Sequence, residues 1–164
     1  QLEQANLLKN MCDEYDSLFF MNDAADVARA SNAHGLHIGQ TDLPTEHARS
    51  LLSPEQLIGR SNSGLEQSLE SHVQGVDYVA VGAIYATTTM GKSGRSAMGP
   101  DEITRVKNAV PLPLVAIGGI GKSNIADVVK AGADCLCIVS AITYSDDPQT
   151  ATRELVQMFD EASS

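Results

Sequence analysis

The chain has 164 residues, of which 43% are hydrophobic and 20% are charged, a composition typical of a globular domain and not of a disordered segment. Its 21 acidic and 11 basic residues give a net charge of −10, which disfavours a nucleic-acid-binding surface. No apolar run approaches the roughly 20 residues that a membrane helix needs, and the first residues lack the layout of a signal peptide.

The predicted elements alternate between helix and strand along the whole chain. A helix at 2–15 comes first, and strands are predicted at 17–21, 35–38, 56–59, 78–81, 113–117 and 135–139. Further helices are predicted at 23–30, 45–52, 65–74, 100–109, 123–130, where Ser123 is the expected cap, and from 148 onward. The strand segments are continuously apolar, which indicates burial on both faces, as in a parallel sheet.

Six strands and seven helices without a linker predict a single domain over residues 1–164. This pattern fits either an open doubly wound sheet or a (β/α)₈ barrel that lacks its beginning. No strand is followed by G-x-G-x-x-G, and short turns that could bind phosphate follow the last two strands, the first of them rich in glycine, so the barrel is favoured.

The chain contains an odd number of cysteines: Cys12, Cys135 and Cys137. Two of them, Cys135 and Cys137, lie in an apolar run. We interpret them as buried thiols, which is typical of a protein in the reducing cytoplasm.

Acidic residues follow two neighbouring predicted strands. Asn22 and Asp23 come directly after the first strand, and Asp42 follows the second. One or two carboxylates, together with substrate phosphates, are a common way of holding Mg²⁺. The spacing alone favours a structural alternative, in which Asp23 caps its helix and Asp42 lies in a turn.

The middle of the chain offers weaker signals. Residues 85–95 form a loop rich in hydroxyl groups, glycine and positive charge, which could either cover an anionic substrate or lie in solvent. Residues 61–63, Ser-Asn-Ser, are a weaker candidate for ligand contact. The simpler alternative is that Asn62 or Ser63 caps the helix at 65–74. For His37, at the end of a strand, a hydrogen-bonded structural role is favoured over ligand contact.

A glycine-rich turn follows the fifth strand, at 118–121, and a second turn, with the sequence VSAI, follows the sixth strand at 139–142. Bare backbone N–H groups between a strand and a helix can bind a phosphate, although such glycines can also serve only to allow a positive φ. Two such turns on adjacent strands favour phosphate binding.

The order of these motifs resembles that of the thiamine phosphate synthase family. The resemblance extends over nearly the whole chain and rests on FFMND at 19–23, GLHIGQTDLP at 35–44, IGRS at 58–61, YVAVGAIYATTT at 78–89, VAIGGI at 115–120, AGAD at 131–134 and VSAI at 139–142.

The resemblance implies a TIM (β/α)₈ barrel, here lacking its first two strands, with six parallel strands and helices outside. It implies a transferase that condenses hydroxymethylpyrimidine diphosphate with a thiazole phosphate, giving thiamine phosphate and diphosphate in thiamine biosynthesis. No nucleophile or strong base is needed when the site only positions the substrates and stabilises the leaving group.

By position, the resemblance assigns Asn22 and Ser61 to the pyrimidine substrate as catalytic contacts. It assigns Asp23 and Asp42 to Mg²⁺. The thiazole phosphate would be held by residues from three loops, Thr87, Thr88, Thr89, Gly119, Val139 and Ser140.

Two departures from the family are expected to matter. The family begins with two strands that carry Gln-x-Arg-x-Lys, and this chain starts at Gln1, as either a processed chain or a fragment. Met90 stands where the family usually has lysine. Either Lys92 or Arg95 supplies the missing cation, with Lys92 as the catalytic candidate, or the activity of this chain is weak.

Two alternatives remain open. A thiazole tautomerase of the same superfamily uses no metal and has a histidine where this chain has Ala83, and the presence of both Asp23 and Asp42 favours the synthase. The second alternative is a non-catalytic phosphate-binding module. In each case small molecules, and neither nucleic acid nor membrane, are the expected partners, and a homo-oligomer is compatible with the sequence.

Overall fold

The computed structural model describes residues 1–87 and 97–164. Within them the strands are β1 Phe20–Asn22, β2 Gly35–Ile38, β3 Leu57–Asn62, β4 Tyr78–Val81, β5 Leu114–Ile117 and β6 Cys135–Cys137. The helices are α1 Leu2–Glu14, α2 Ala25–Ala30, α3 Thr45–Leu51, α4 Leu65–Val73, α5 Pro100–Ala109, α6 Ile125–Lys130, α7 Ser140–Thr143 and α8 Pro148–Ser163. None of the helices in these two ranges is long and apolar enough to cross a membrane.

The strands form one sheet in the order β1-β2-β3-β4-β5-β6, which is the predicted sequential order. β1 pairs in parallel with β2, with Asn22 opposite His37, and β2 pairs in parallel with β3, with His37 opposite Gly59. β5 pairs in parallel with β6, with Ile117 opposite Cys137. Because parallel neighbours end at the same edge of a sheet, the residues that follow β1 and β2 emerge on one side.

Contacts divide the chain into two compact units. The first contains residues 1–61 and 70–79, and the second contains 62–69 and 80–164. The core of the first unit includes Leu36, Ile38 and Ile58, and none of the three side chains is exposed. Each buried aliphatic side chain of this size contributes about 1.5–3 kcal/mol relative to exposure.

The second unit has its own apolar core of completely buried large side chains, which includes Ile84, Ile103, Val106, Leu114 and Val128. Helix α5 faces this core with Ile103 and Val106, which lie three residues apart on one side of the helix. The single-domain prediction for residues 1–164 stays a prediction.

A backbone-capping contact recurs at the starts of neighbouring strands. A side chain just before one strand accepts a hydrogen bond from a backbone N–H near the start of its neighbour: His34 Nδ1 from Phe19 at 2.8 Å, Asp77 Oδ2 from Ile58 at 2.7 Å, and Asp134 Oδ2 from Leu114 at 2.7 Å. Arg49 pairs with Asp77, and Lys107 pairs with Asp134, each at 2.5 Å. These contacts satisfy strand N–H groups that have no partner in the ladder.

Three local expectations were wrong. The turn at 139–142 is mostly helix α7, whose four residues are too few for helical periodicity to be detected. The N-cap of α6 is Asn124 rather than Ser123. Cys135 is exposed rather than buried, while Cys12 and Cys137 are partly buried, and all three are free thiols.

Candidate functional site

In the first unit, the polar residues at the ends of β1 and β2 lie at the same edge of the sheet. Asn22 is the last residue of β1 and is exposed. Asp23 follows it with a φ of +62°, and its backbone N–H donates to the carbonyl of His37 at 2.9 Å. Asparagine and aspartate adopt this left-handed conformation more readily than most residues. The backbone at Asp23 is therefore anchored to β2, the strand that leads to Asp42.

Asp42 closes the turn that follows β2. Its Oδ2 atom accepts a hydrogen bond from the backbone N–H of Gly39 at 2.6 Å. A Cβ atom at Gly39 would lie 2.9 Å from the same oxygen, so glycine allows the carboxylate to approach this closely. The predicted turn role of Asp42 is confirmed, and because a carboxylate has two oxygens, this contact is compatible with a ligand on the other.

His37 lies inside a chain of three side chains. Its Nδ1 atom is 2.8 Å from the Tyr78 hydroxyl, its Nε2 atom is 2.8 Å from Ser61 Oγ, and its ring stacks on that of Tyr78. The favoured structural role of His37 is therefore confirmed. The chain holds Ser61, a predicted substrate contact, in a defined orientation. A neutral imidazole can donate through one nitrogen and accept through the other, so both hydroxyl groups are satisfied.

Two opposing effects act on the pKa of His37. Burial lowers this pKa below its ordinary value of 6.5, and the Asp42 carboxylate partly offsets the effect. Between 6.5 and the lower folded value, the unfolded chain binds a proton that the folded chain does not. Stability is therefore expected to fall as the pH drops below about 6.5.

We expect an NMR titration of the His37 ring to show a midpoint below 6.5, and Asp42→Asn to lower that midpoint further. The exposed Asp26 offers a matched loss of one negative charge, so Asp26→Asn should leave the His37 midpoint unchanged. A midpoint above 6.5, or equal effects of the two variants, would contradict the assigned causes.

The helix-cap alternative for Asp23 is wrong. The N-cap of α2 is Ala24, whose side chain makes no capping hydrogen bond. Across residues 1–87 and 97–164, no three histidine, cysteine or acidic side chains are grouped as a metal site. Asp23 and Asp42 nevertheless supply the hard oxygen donors that Mg²⁺ prefers, and this ion commonly takes its other ligands from substrate and water. The donor chemistry therefore fits Mg²⁺.

In the second unit, two consecutive glycines follow β5 directly. Gly118 has a φ of +104° and Gly119 a φ of +64°. A Cβ atom at Gly118 would lie 2.6 Å from Ala83 Cβ, and one at Gly119 would lie 2.8 Å from the carbonyl oxygen of Ala86. The structural reason for these glycines is thus confirmed. Phosphate binding at the turn stays a prediction.

The Asn124 side chain makes two hydrogen bonds to the backbone of the same turn. Its side-chain oxygen accepts from the N–H of Gly121 at 2.9 Å, and its amide nitrogen donates to the carbonyl of Gly119 at 3.0 Å. Val139 is exposed, and Ser140 begins α7. Thr87 is partly buried at the end of the described segment after β4. Thr88, Thr89, Lys92 and Arg95 lie outside the described residues.

Two residues of this region, Arg60 and Tyr78, are not predicted by the sequence patterns. Tyr78 contacts His37 through both its ring and its hydroxyl group. Arg60 is only 9% exposed and bonds to Gln40 and Gln74. The sequence does contain a signal for Arg60, which is a charged residue within an apolar strand. Such a residue requires polar partners when it is buried.

Comparisons with known proteins agree with one another. The family model described as thiamine monophosphate synthase matches residues 1–142. A thiamine-phosphate synthase from Thermosynechococcus vestitus is 42% identical over 96% of this chain, and one from Shouchella clausii is 39% identical over 99%. The chain spans 44% of the first relative and 77% of the second.

Solved structures are similar as well. The thiamine phosphate pyrophosphorylase from Pyrococcus furiosus superposes with a TM-score of 0.90 at 34% identity, covering 99% of this chain and 77% of that one. A 3-hexulose-6-phosphate synthase, at 18% identity and a TM-score of 0.68, shares the fold alone. The predicted α/β fold of the TIM type, with six parallel strands, is thereby confirmed.

Proposed function

Because this chain belongs to the thiamine monophosphate synthase family, we propose that the protein containing it is a thiamine phosphate synthase. As a transferase, it would join hydroxymethylpyrimidine diphosphate to a thiazole phosphate. The observation that carries the proposal is the arrangement at the ends of β1 and β2, two paired parallel strands: Asn22 is the last residue of β1, Asp23 follows it, and Asp42 lies in the turn after β2.

The reaction is a substitution at the pyrimidine methylene carbon. The bond from this carbon to the diphosphate oxygen breaks, the diphosphate leaves with the electron pair, and the thiazole nitrogen donates its lone pair to the carbon. Such a reaction requires orientation of both substrates and stabilisation of the departing charge rather than a protein nucleophile. In this proposal Asn22 and Ser61 bind the pyrimidine substrate, and the hydrogen bond between Ser61 and His37 supports the orientation of Ser61.

Asp23 and Asp42 would hold Mg²⁺. When bound, the ion would neutralise charge on the leaving diphosphate. The hydrogen bond from Gly39 orients the Asp42 carboxylate, and the hydrogen bond to His37 anchors the backbone at Asp23. These contacts restrict the Asp42 carboxylate and the backbone at Asp23 before any ion arrives, which reduces the entropic cost of binding.

The thiazole phosphate is assigned to the second unit. Thr87, Gly119, Val139 and Ser140 are the described members of this set, and the proposal adds Thr88 and Thr89. Support comes from the turn at Gly118 and Gly119, whose residues have no side chains of their own to cover their backbone N–H groups. Lys92 or Arg95 would supply the cation that Met90 lacks.

The proposal also includes a cytoplasmic location, one barrel domain over residues 1–164 and small-molecule partners, with no role for nucleic acid or membrane. A homo-oligomer is compatible with it. The three free thiols are consistent with a reducing compartment.

An assay with both substrates and Mg²⁺ tests the activity directly. We expect the full-length protein containing this chain to form thiamine phosphate and diphosphate in equal amounts, and a chelator to abolish the reaction. The control omits the thiazole phosphate and should give no thiamine phosphate. Isomerisation of a thiazole carboxylate phosphate without metal would instead identify a tautomerase, and binding without turnover would identify a non-catalytic phosphate-binding module.

A further inference from the structure

Arg60 is a buried cation at the edge of the proposed pyrimidine site. It lies on β3 directly before Ser61, and only 9% of its surface is exposed. Its guanidinium group donates to two side-chain amide oxygens, Gln74 Oε1 at 2.5 Å and Gln40 Oε1 at 3.1 Å. Burial of a charged group is costly unless such hydrogen bonds compensate for the lost water, so these contacts are strongly favoured in the folded chain.

Gln40 extends this contact to the site. Its Nε2 atom donates to the backbone carbonyl of Ser61 at 2.6 Å. Gln40 also belongs to the turn in which Asp42 accepts from Gly39. One amide side chain therefore connects the turn that carries Asp42 with the strand that carries Ser61.

Gln74 provides the fixed end of the arrangement. Its Oε1 atom accepts from Arg60 and from the Thr45 hydroxyl at 3.2 Å, and its Nε2 atom donates to Glu70 at 2.9 Å. Gln74 is therefore held by residues of α3 and α4. Arg60 transmits this constraint to Gln40 because its planar guanidinium group directs two donors to two acceptors at once.

We propose that Arg60 is a positioning residue that sets the orientation of Gln40, and through it the relative placement of Ser61 and the turn carrying Asp42. The inference rests on the proposed function only for its kinetic consequence. Lysine could not replace this residue fully, because a single ammonium group lacks the planar fork of donors.

The first test observes Gln40 directly and needs no activity. In the ¹⁵N NMR spectrum, Arg60→Met should shift the Gln40 side-chain amide signals and increase their exchange with solvent, because one partner of this amide group is lost. Arg49→Met is the matched control, since Arg49 is in the same unit but contacts Gln56 and Asp77. The control should leave the Gln40 amide signals unchanged.

The second test is kinetic. Arg60→Met should lower kcat/KM about 10- to 100-fold, the range expected for a displacement of about 1 Å in a site. Gln40→Met should cause a similar loss, and the double variant should lose little more than either single variant, because both act through one contact. Arg60→Lys should retain intermediate activity, and Arg49→Met should change kcat/KM less than about twofold.

Unchanged Gln40 signals in Arg60→Met, or equal kinetic losses in Arg49→Met, would overturn the positioning role. If Arg60→Met does not fold, Gln74→Met and Arg60→Lys provide the same two readouts, and unchanged Gln40 signals in both would overturn it equally. Absence of thiamine phosphate formation by the unsubstituted protein would refute the proposed function alone, because the NMR measurement would still decide the role of Arg60.

Discussion

Asp23→Asn should lower kcat for thiamine phosphate formation roughly 100- to 1,000-fold, the usual effect of removing one electrostatic contact to developing charge. The free energy of unfolding should change by less than about 1 kcal/mol. Asparagine tolerates the φ of +62° at this position, and Asp23 does not occupy the N-cap position of α2, which is Ala24. The measurements are kcat as a function of Mg²⁺ concentration and urea unfolding.

The control for Asp23→Asn is Asp26→Asn, which removes one negative charge from the exposed first turn of α2. This control should retain both turnover and Mg²⁺ dependence. Additional Mg²⁺ should restore the Asp23→Asn variant only partly, because an amide oxygen is a weaker ligand than a carboxylate. Unchanged turnover and Mg²⁺ dependence in Asp23→Asn would show that this acid does not bind the ion.

Gly118→Ala should destabilise the protein by roughly 2–6 kcal/mol, combining backbone strain and overpacking. The φ of +104° is unfavourable for alanine, and the added methyl group would lie 2.6 Å from Ala83 Cβ. Ala83 cannot move away easily, because Ile84 donates to the Ile117 carbonyl and Tyr85 to the Gly118 carbonyl, both at 3.0 Å. Thermal or urea unfolding measures this loss.

Gly121→Ala is the matched control for Gly118→Ala in the same turn. Among the described residues, a Cβ atom at Gly121 would meet only Ala141 Cβ at 3.7 Å, an ordinary contact. Its unfolding free energy should change by less than about 0.5 kcal/mol. In variants that fold, Gly118→Ala should also weaken binding of the thiazole phosphate more than Gly121→Ala does. Equal destabilisation by the two substitutions would contradict the close contact at Gly118.

Periodic and buried elements were predictable from the sequence. The bounds of β2, β4 and α5 agree with prediction to the residue, because continuous apolar runs and the proline at the start of α5 mark them clearly. At β1 the predicted strand begins three residues too early. Leu18 in that segment is 65% exposed, so its hydrophobicity did not correspond to a place in the sheet.

The sequence by itself determined the order of elements, the parallel sheet and the family, because these depend on local periodicity and on motifs read along the chain. Tertiary structure alone decided which partners the polar side chains have. Residues 14, 20 and 41 positions apart meet in the Arg60–Gln74, Arg60–Gln40 and His37–Tyr78 contacts. Such contacts form only when strands and helices pack, because the hydrogen-bonding capacity of a side chain does not specify its partner.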